Sequence, residues 1–244
     1  MKTVKRIVLT SAIFLIAGLS ATAQDANEIL KKMDDVMYSP KDMSAKTRII
    51  LIDKNGNEKV RESVMIQKGN DKRLFRFTAP ASQEGIATLS LPNDVMYLYL
   101  PSFGKERRIS SSVKNQKFAG TDFTYDDMEA KPYVEKYTPE LIGTEENVYI
   151  LKLVPKSPKS QYSKLITKVD KNEYYPVFTE YYDKGNNKIK EATYDFVKIG
   201  KYWNAKEIVM KDLRKNHVTR MQMSDVKYDQ GLSDDEFTVR NLKH

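Results

Sequence analysis

Asp126, Asp127 and Glu129 form an acidic group within the 244-residue chain, and paired carboxylates are the usual equipment of acid–base hydrolysis. Neighbours on a helix do not face each other, however, so glycosidase-type cooperation between them is not expected. Glu180, Tyr181 and Tyr182 could decorate a sugar cleft, but strand alternation sends adjacent side chains to opposite faces. Ser110, Ser111 and Ser112 lie near Arg107 and Arg108 with no histidine in sequence reach to activate a hydroxyl. His217 stands amid Lys215, Asn216 and Arg220, which reads as a surface histidine at a polar strand start. Asp53, Asn55 and Asn57 are spaced like calcium-loop ligands, yet position 64 is Val64 where such a loop ends in a bidentate carboxylate. The chain has no cysteine and two histidines, one of them the last residue. That removes disulfides, thiolate metal sites and cysteine nucleophiles, and nearly all histidine-based chemistry. The expectation is a binder with no catalytic residues, no metal and no cofactor.

The first 23 residues read as a targeting segment. Lys2, Lys5 and Arg6 precede an apolar run from Ile7 to Leu19, and Ala21-Thr22-Ala23 supplies a small-x-small cleavage site. This is the pattern of a secretory signal peptide, so residues 24–244 are expected to form one exported domain in the periplasm. A lipid anchor would need a cysteine at the cleavage point, and there is none. Without the three leader cations, 38 basic residues face 33 acidic ones. For an exported protein the available polyanions are lipid headgroups and lipopolysaccharide, not nucleic acid. The charges are scattered, so a transient contact with a membrane surface is the most they imply.

The elements that must position any site are mostly strands. Asp25, with Glu28 three residues on, resembles a capping box, and Ile29, Leu30, Met33, Val36 and Met37 recur at helical spacing up to Ser39-Pro40. Beyond that point alternation dominates. Thirteen stretches between 45 and 228 read as about ten or eleven strands with some merging. Short helical segments are expected at 119–130 and 232–237, the second capped by Ser233. Asp53-Lys54-Asn55-Gly56, Asp170-Lys171-Asn172 and Asp183-Lys184-Gly185-Asn186 carry hairpin-turn chemistry. With no βαβ alternation, the fold class is mainly β, a single open, strongly curved antiparallel barrel wrapping its helices.

Residues 74–128 carry a more specific pattern. Arg76-Phe77-Thr78-Ala79-Pro80 precedes Tyr97-Leu98-Tyr99-Leu100-Pro101, then Arg107-Arg108-Ile109, and finally Gly120-Thr121-Asp122-Phe123-Thr124-Tyr125-Asp126-Asp127. This ordered series resembles the outer-membrane lipoprotein-sorting protein family, LolA/LolB-like periplasmic lipoprotein carriers. The resemblance implies an unclosed antiparallel barrel with a helical lid over an apolar cavity. It implies acyl chains of lipoproteins or other lipids as cargo, an inner-membrane transporter as donor and an outer-membrane acceptor. The alternative of another class is a non-enzymatic module that docks on an inner-membrane lipid transporter and never encloses lipid.

A cavity of that kind is expected to be lined by Phe75, Phe77, Leu89, Leu91, Met96, Leu98 and Leu100 from the signature strands. Ile208, Met210, Met221 and Met223 would join from a later hairpin, with Met33 and Met37 on the lid. Methionine suits the task because its flexible thioether repacks around different ligands. Arg73 occupies a place similar to the lid-holding arginine of LolA, and Arg107 and Arg108 could meet an anionic headgroup or partner at the rim.

Overall fold

The computed structural model describes residues 18–243, with side chains from residue 26 onward. The expected signal peptide lies outside the described residues up to position 17, and its last residues run into a helix. That helix, α1 (Gly18–Met37), continues through Asp25, so Asp25 is not its N-cap as the spacing suggests.

Among the described residues thirteen strands follow, all antiparallel, in one sheet. They are β1 (Asp42–Ile52), β2 (Glu58–Lys68), β3 (Lys72–Ala79), β4 (Ala87–Leu91), β5 (Val95–Leu100) and β6 (Lys105–Arg108), then β7 (Tyr137–Thr144), β8 (Val148–Pro155), β9 (Tyr162–Asp170), β10 (Pro176–Asp183), β11 (Lys188–Ile199), β12 (Tyr202–Asp212) and β13 (His217–Tyr228). None of the thirteen stretches merges. The order is β6-β5-β4-β3-β2-β1-β13-β12-β11-β10-β9-β8-β7. Every neighbour is a hairpin partner except β1 and β13, which join the two halves. β6 and β7 remain as free edges, so the barrel is open.

The turns are built as their residues dictate. Asp53 accepts the backbone N–H groups of Asn55 and Asn57, at 2.8 and 3.0 Å. Asp170 accepts those of Asn172 and Glu173, and Asp183 accepts that of Asn187. These are Asx turns joining hairpins, and the carboxylate of Asp53 is spent on its own loop.

Two apolar layers result from alternation. The inner face of the curved sheet holds Ile49, Leu51, Met65, Phe75, Phe77, Leu151, Leu153, Leu165, Met210 and Met221, packed against Ala26, Ile29, Leu30 and Met33 of α1. On the outer face Leu74, Ala87 and Leu89 pack under the C-terminal strap through Phe237 and Leu242, with Leu91, Tyr97 and Tyr99 beside them. The strap is held by Asp42, whose buried carboxylate accepts the backbone N–H groups of Gln230, Gly231 and Leu232. The expected helical turn at its start is a 3-10 turn at Asp234–Phe237, capped by Ser233.

Between the free edges the chain runs through the barrel. This crossover carries the one-turn helices α2 (Ser111–Lys114), α3 (Tyr125–Met128) and α4 (Tyr133–Lys136), where the sequence suggests one helix at 119–130. It reverses at Ala119 and Gly120, at φ 45° and 73°, a backbone that favours glycine. Phe118 then meets Phe75 and Phe77 at ring separations of 5.3 and 5.7 Å, and Tyr125 at 5.6 Å.

A buried polar cluster locks the crossover to the far wall. Asp122, fully buried, lies 2.7 Å from Lys117 Nζ, accepts the Thr219 hydroxyl at 2.8 Å and meets His217 Nδ1 at 2.5 Å. Lys117 also reaches the buried Asp212 at 3.2 Å. Burial works to raise the Asp212 carboxyl, and Lys117 overcomes it, leaving Asp212 below the usual carboxylate range. Lys190 donates to the Asp122 carbonyl at 2.7 Å and to the Tyr162 hydroxyl at 3.2 Å. Its burial pulls the ammonium below the ordinary lysine range. His217 is thus a member of this cluster and not the solvated surface histidine its neighbours suggest. The carboxylates of the acidic motif are engaged as well. Asp127 closes a capping box with Thr124 and accepts the Tyr162 hydroxyl, and Asp126 pairs with Lys136 at 2.8 Å.

Asp34 of α1 fastens the helix to the crossover by accepting the backbone N–H groups of Tyr133 and Val134, both at 2.8 Å. Burial pushes its carboxyl up to about 6 despite these two bonds.

Two outcomes are expected. Asp122→Ala takes the carboxylate away from His217 and Thr219 and leaves Lys117 with Asp212 alone, and should cost about 3 kcal/mol in chemical denaturation, whereas a loss below about 1 kcal/mol would show that the cluster does not hold the crossover. Because Asp34 is protonated more readily in the fold than in the unfolded chain, its contribution to stability is complete below about pH 4 and lost as pH rises to about 6, by up to roughly 3 kcal/mol. Denaturation at pH 4, 5, 6 and 7 should show that Asp34→Asn removes this fall, and matching profiles for both proteins would refute the assignment.

Candidate functional site

The crossover fills the barrel beneath the signature strands but not beneath the C-terminal end of α1. There a cavity of about 170 Å³ remains, roofed by Met37, Tyr38 and Pro40. β1 and β2 contribute Met43 and Met65, and the crossover contributes Phe123, Met128, Tyr133 and, at the start of β7, Tyr137. The opposite wall is Leu165, Tyr181, Tyr194, Phe196, Trp203, Ile208, Met221 and Met223. Six of the ten methionines line this space, and their thioethers give it an adaptable surface.

The aromatic lining is amphipathic but uncharged. Burial raises the phenols of Tyr133, Tyr181 and Tyr194 above the ordinary tyrosine range. Burial likewise pushes Tyr228 up to about 12, with its hydroxyl bonded to Asn204 at 3.1 Å. All four therefore present neutral hydroxyls at physiological pH. One end of the cavity is charged: Arg73, Asp127, Glu129, Lys131 and Lys136 border it there.

Arg73 donates to Gln67 Oε1 through Nε and Nη2, at 2.9 and 2.6 Å, and to the Met128 carbonyl at 3.1 Å. It thereby ties β3 to the crossover that forms the cavity's inner wall.

The residues named from sequence fall into distinct places. Met37, Ile208, Met221, Met223 and Arg73 line the cavity. Met33 and Met210 are buried in the inner core without reaching it. Phe75 and Phe77 point inward as expected, but Phe118 occupies the space in front of them. Leu89 and Leu91 are on the outer face under the C-terminal strap, because alternation in β4 gives the inner face to Thr88 and Ser90. Met96 is buried and Leu98 and Leu100 are half-buried, and none of the three borders the cavity. Arg107 is exposed and lies over the Phe103 ring at 5.0 Å. Arg108 borders a separate polar cleft.

Sequence reasoning missed Met43, Met128, Tyr181, Tyr194 and Trp203. Tyr181 and Tyr194 sit on adjacent strands, β10 and β11, with their hydroxyls 3.5 Å apart. Met128 belongs to the acidic motif, whose family resemblance drew attention to its carboxylates instead.

Comparison with known proteins gives a consistent result. A family model described only as an uncharacterized protein matches residues 69–244, and no curated protein matches the chain. A putative outer membrane lipoprotein-sorting protein domain from Vibrio parahaemolyticus superposes with a TM-score of 0.85 at 27% identity, over 91% of this chain and 100% of that one. A DUF1329 family protein from Desulfovibrio piger ATCC 29098 gives 0.84 at 27% identity, over 91% and 99%. A LolA superfamily protein from Nitrosomonas europaea shares the fold, with a TM-score of 0.75 at 24% identity over 89% and 97%. The chain belongs to the family whose model spans residues 69–244, and its structural neighbours are an outer membrane lipoprotein-sorting domain, a DUF1329 protein and a LolA superfamily protein that share its fold.

Proposed function

We propose that this protein is a periplasmic carrier that takes one or more acyl chains of a lipid or lipoprotein into the barrel beneath α1 and moves them toward the outer membrane. The observation that carries this reading is the methionine- and aromatic-lined space under Met37, Tyr38 and Pro40. An ordinary sheet protein would fill such a space with its own side chains, whereas here uncharged apolar and aromatic groups from eight strands converge on it. The lipoprotein-sorting description of the Vibrio relative supports the same class of cargo. No described helix is long and apolar enough to cross a membrane, and the leader-like N-terminus supports export. Asp126 and Asp127 serve the fold through Lys136, Thr124 and Tyr162, which favours binding over hydrolysis.

The size of the cavity sets a condition. About 170 Å³ matches a space that holds a single benzene ring, far less than a long acyl chain. Binding therefore requires the end of α1 to lift from the sheet. Two features make this feasible: Ser39 and Pro40 end the helix, and contact between α1 and β12 is slight compared with that to β7.

Met223→Glu places a carboxylate in the cavity and should weaken binding of a fluorescent fatty-acid probe at least tenfold, since a buried unpaired charge costs several kcal/mol. Unchanged binding would remove this space as the acyl site and favour the transporter-docking alternative. The lack of cysteine in the chain allows clean spin labelling at Asp35→Cys and Lys201→Cys, two positions bordering the groove between α1 and the β11–β12 turn. Their separation should lengthen when lipid is added, and a distance distribution indifferent to saturating lipid would contradict the lid role of α1.

A further inference from the structure

The open side of the barrel holds a second concavity, of about 730 Å³. One bank is the free edge at β6, with Arg108 and Ser110. The other is the end of β8 and the loop after it, with Lys156, Ser157 and Lys159. Its floor is the crossover. Three lining carboxylates are already matched: Glu129 by Lys114 at 2.6 Å, Asp126 by Lys136 at 2.8 Å, and Asp94 by Lys131. Arg108, Lys156 and Lys159 pair with no carboxylate among the described residues, and only Glu135 stands against them on the lining. Lys156 Nζ is positioned by the Val134 carbonyl at 2.7 Å, which leaves two of its three ammonium donors available.

This cleft and the apolar cavity share a wall. Glu129, Lys131, Lys136 and Tyr137 border both. A molecule with an acyl chain under α1 and its polar end toward that wall would face a cleft with surplus positive charge and with serine hydroxyls at hand. Phosphate is the group that such a set of cations and hydroxyls recognises, and the uncharged ester end of a diacylglycerol would gain nothing there.

Resting on the carrier reading above, we propose that the cleft along the open seam is a headgroup site, and that the cargo is an amphiphile with an anionic, phosphate-bearing headgroup. Its chains occupy the cavity under α1, and Arg108, Lys156 and Lys159 hold the phosphate.

The test compares dioctanoyl phosphatidylglycerol with dioctanoylglycerol, which share their chains, and with glycerol phosphate, which has none. Binding to the full-length exported protein is read by displacement of a fluorescent fatty acid and by calorimetry. The phosphatidylglycerol is expected to bind about tenfold more tightly than the uncharged lipid, and the ratio should fall toward one in 1 M salt. The triple variant Arg108→Ala, Lys156→Ala, Lys159→Ala, all at exposed positions, should lose the preference in low salt as well. Equal affinity for the two lipids in the wild type, or a preference that survives in the triple variant, overturns the headgroup site while leaving the carrier reading intact. Binding of neither lipid overturns both. Glycerol phosphate binding as tightly as the phosphatidylglycerol would assign the cleft to a soluble phosphate and overturn its role in lipid recognition.

Discussion

A sheet of thirteen strands that never closes on itself has two free edges and an interior larger than its own side chains fill. One stretch of chain, residues 109–136 between β6 and β7, deals with all three problems. It enters along one edge, crosses the barrel and leaves along the other. The interaction that fixes its path is the charge cluster at Asp122. Burying a carboxylate is costly unless cations and hydroxyls meet it, and here Lys117, His217 and Thr219 meet its oxygens while Lys190 holds the carbonyl beside it. Donors from three elements must converge on this one residue, so the crossover has a single register in the barrel.

From that register the rest follows. With Asp122 fixed, Phe118 falls between Phe75 and Phe77 and closes the half of the barrel behind β2 to β5. Asp127 caps α3 and meets Tyr162, and Met128 and Tyr133 then form one wall of the space that remains. Asp34 fastens α1 to the first residues of α4, so the roof is tied to the crossover as well as to the sheet. The cavity and the seam cleft lie on two sides of the same short segment, which is why four residues border both.

The fold was legible in the sequence because its signals are local. Alternation marked all thirteen stretches, though it read them as ten or eleven strands with some merging, and the Asx residues at Asp53, Asp170 and Asp183 marked their turns. The site was much less legible, for a physical reason. Alternation assigns residues to two faces but does not say which face is inside, nor what lies over the inner one. Leu89 is as apolar as any cavity residue, yet it faces outward under Phe237 and Leu242, a strap more than 140 positions away. Phe75 and Phe77 do face inward, and the crossover covers them. The motif at 120–127 supports the family resemblance, but its residues build the plug: Gly120 the reversal, Asp122 the lock, Tyr125 the ring against Phe118, Asp127 the cap. The same holds for His217, whose local neighbours are polar while its partner lies 95 residues earlier. Met37, Met221, Met223 and Ile208 could be picked because they combine apolar character with positions on the lid or the sheet centre.

A small adaptable cavity is a consistent property for a carrier. Each methylene taken from water contributes about 0.8 kcal/mol, so one sixteen-carbon chain fully buried amounts to about 12 kcal/mol gross. Two such chains would pass the practical ceiling of roughly 18–21 kcal/mol for reversible binding, and a carrier that bound so tightly could not deliver. Part of the gross energy must therefore be taken up elsewhere. On the proposed carrier reading, lifting α1 from the sheet would do this, because Met37 and Tyr38 would lose packing when a chain enters and regain it when the chain leaves. Affinity would then be set by the difference between two apolar contacts, helix on sheet and lipid on sheet, and not by the total area of either.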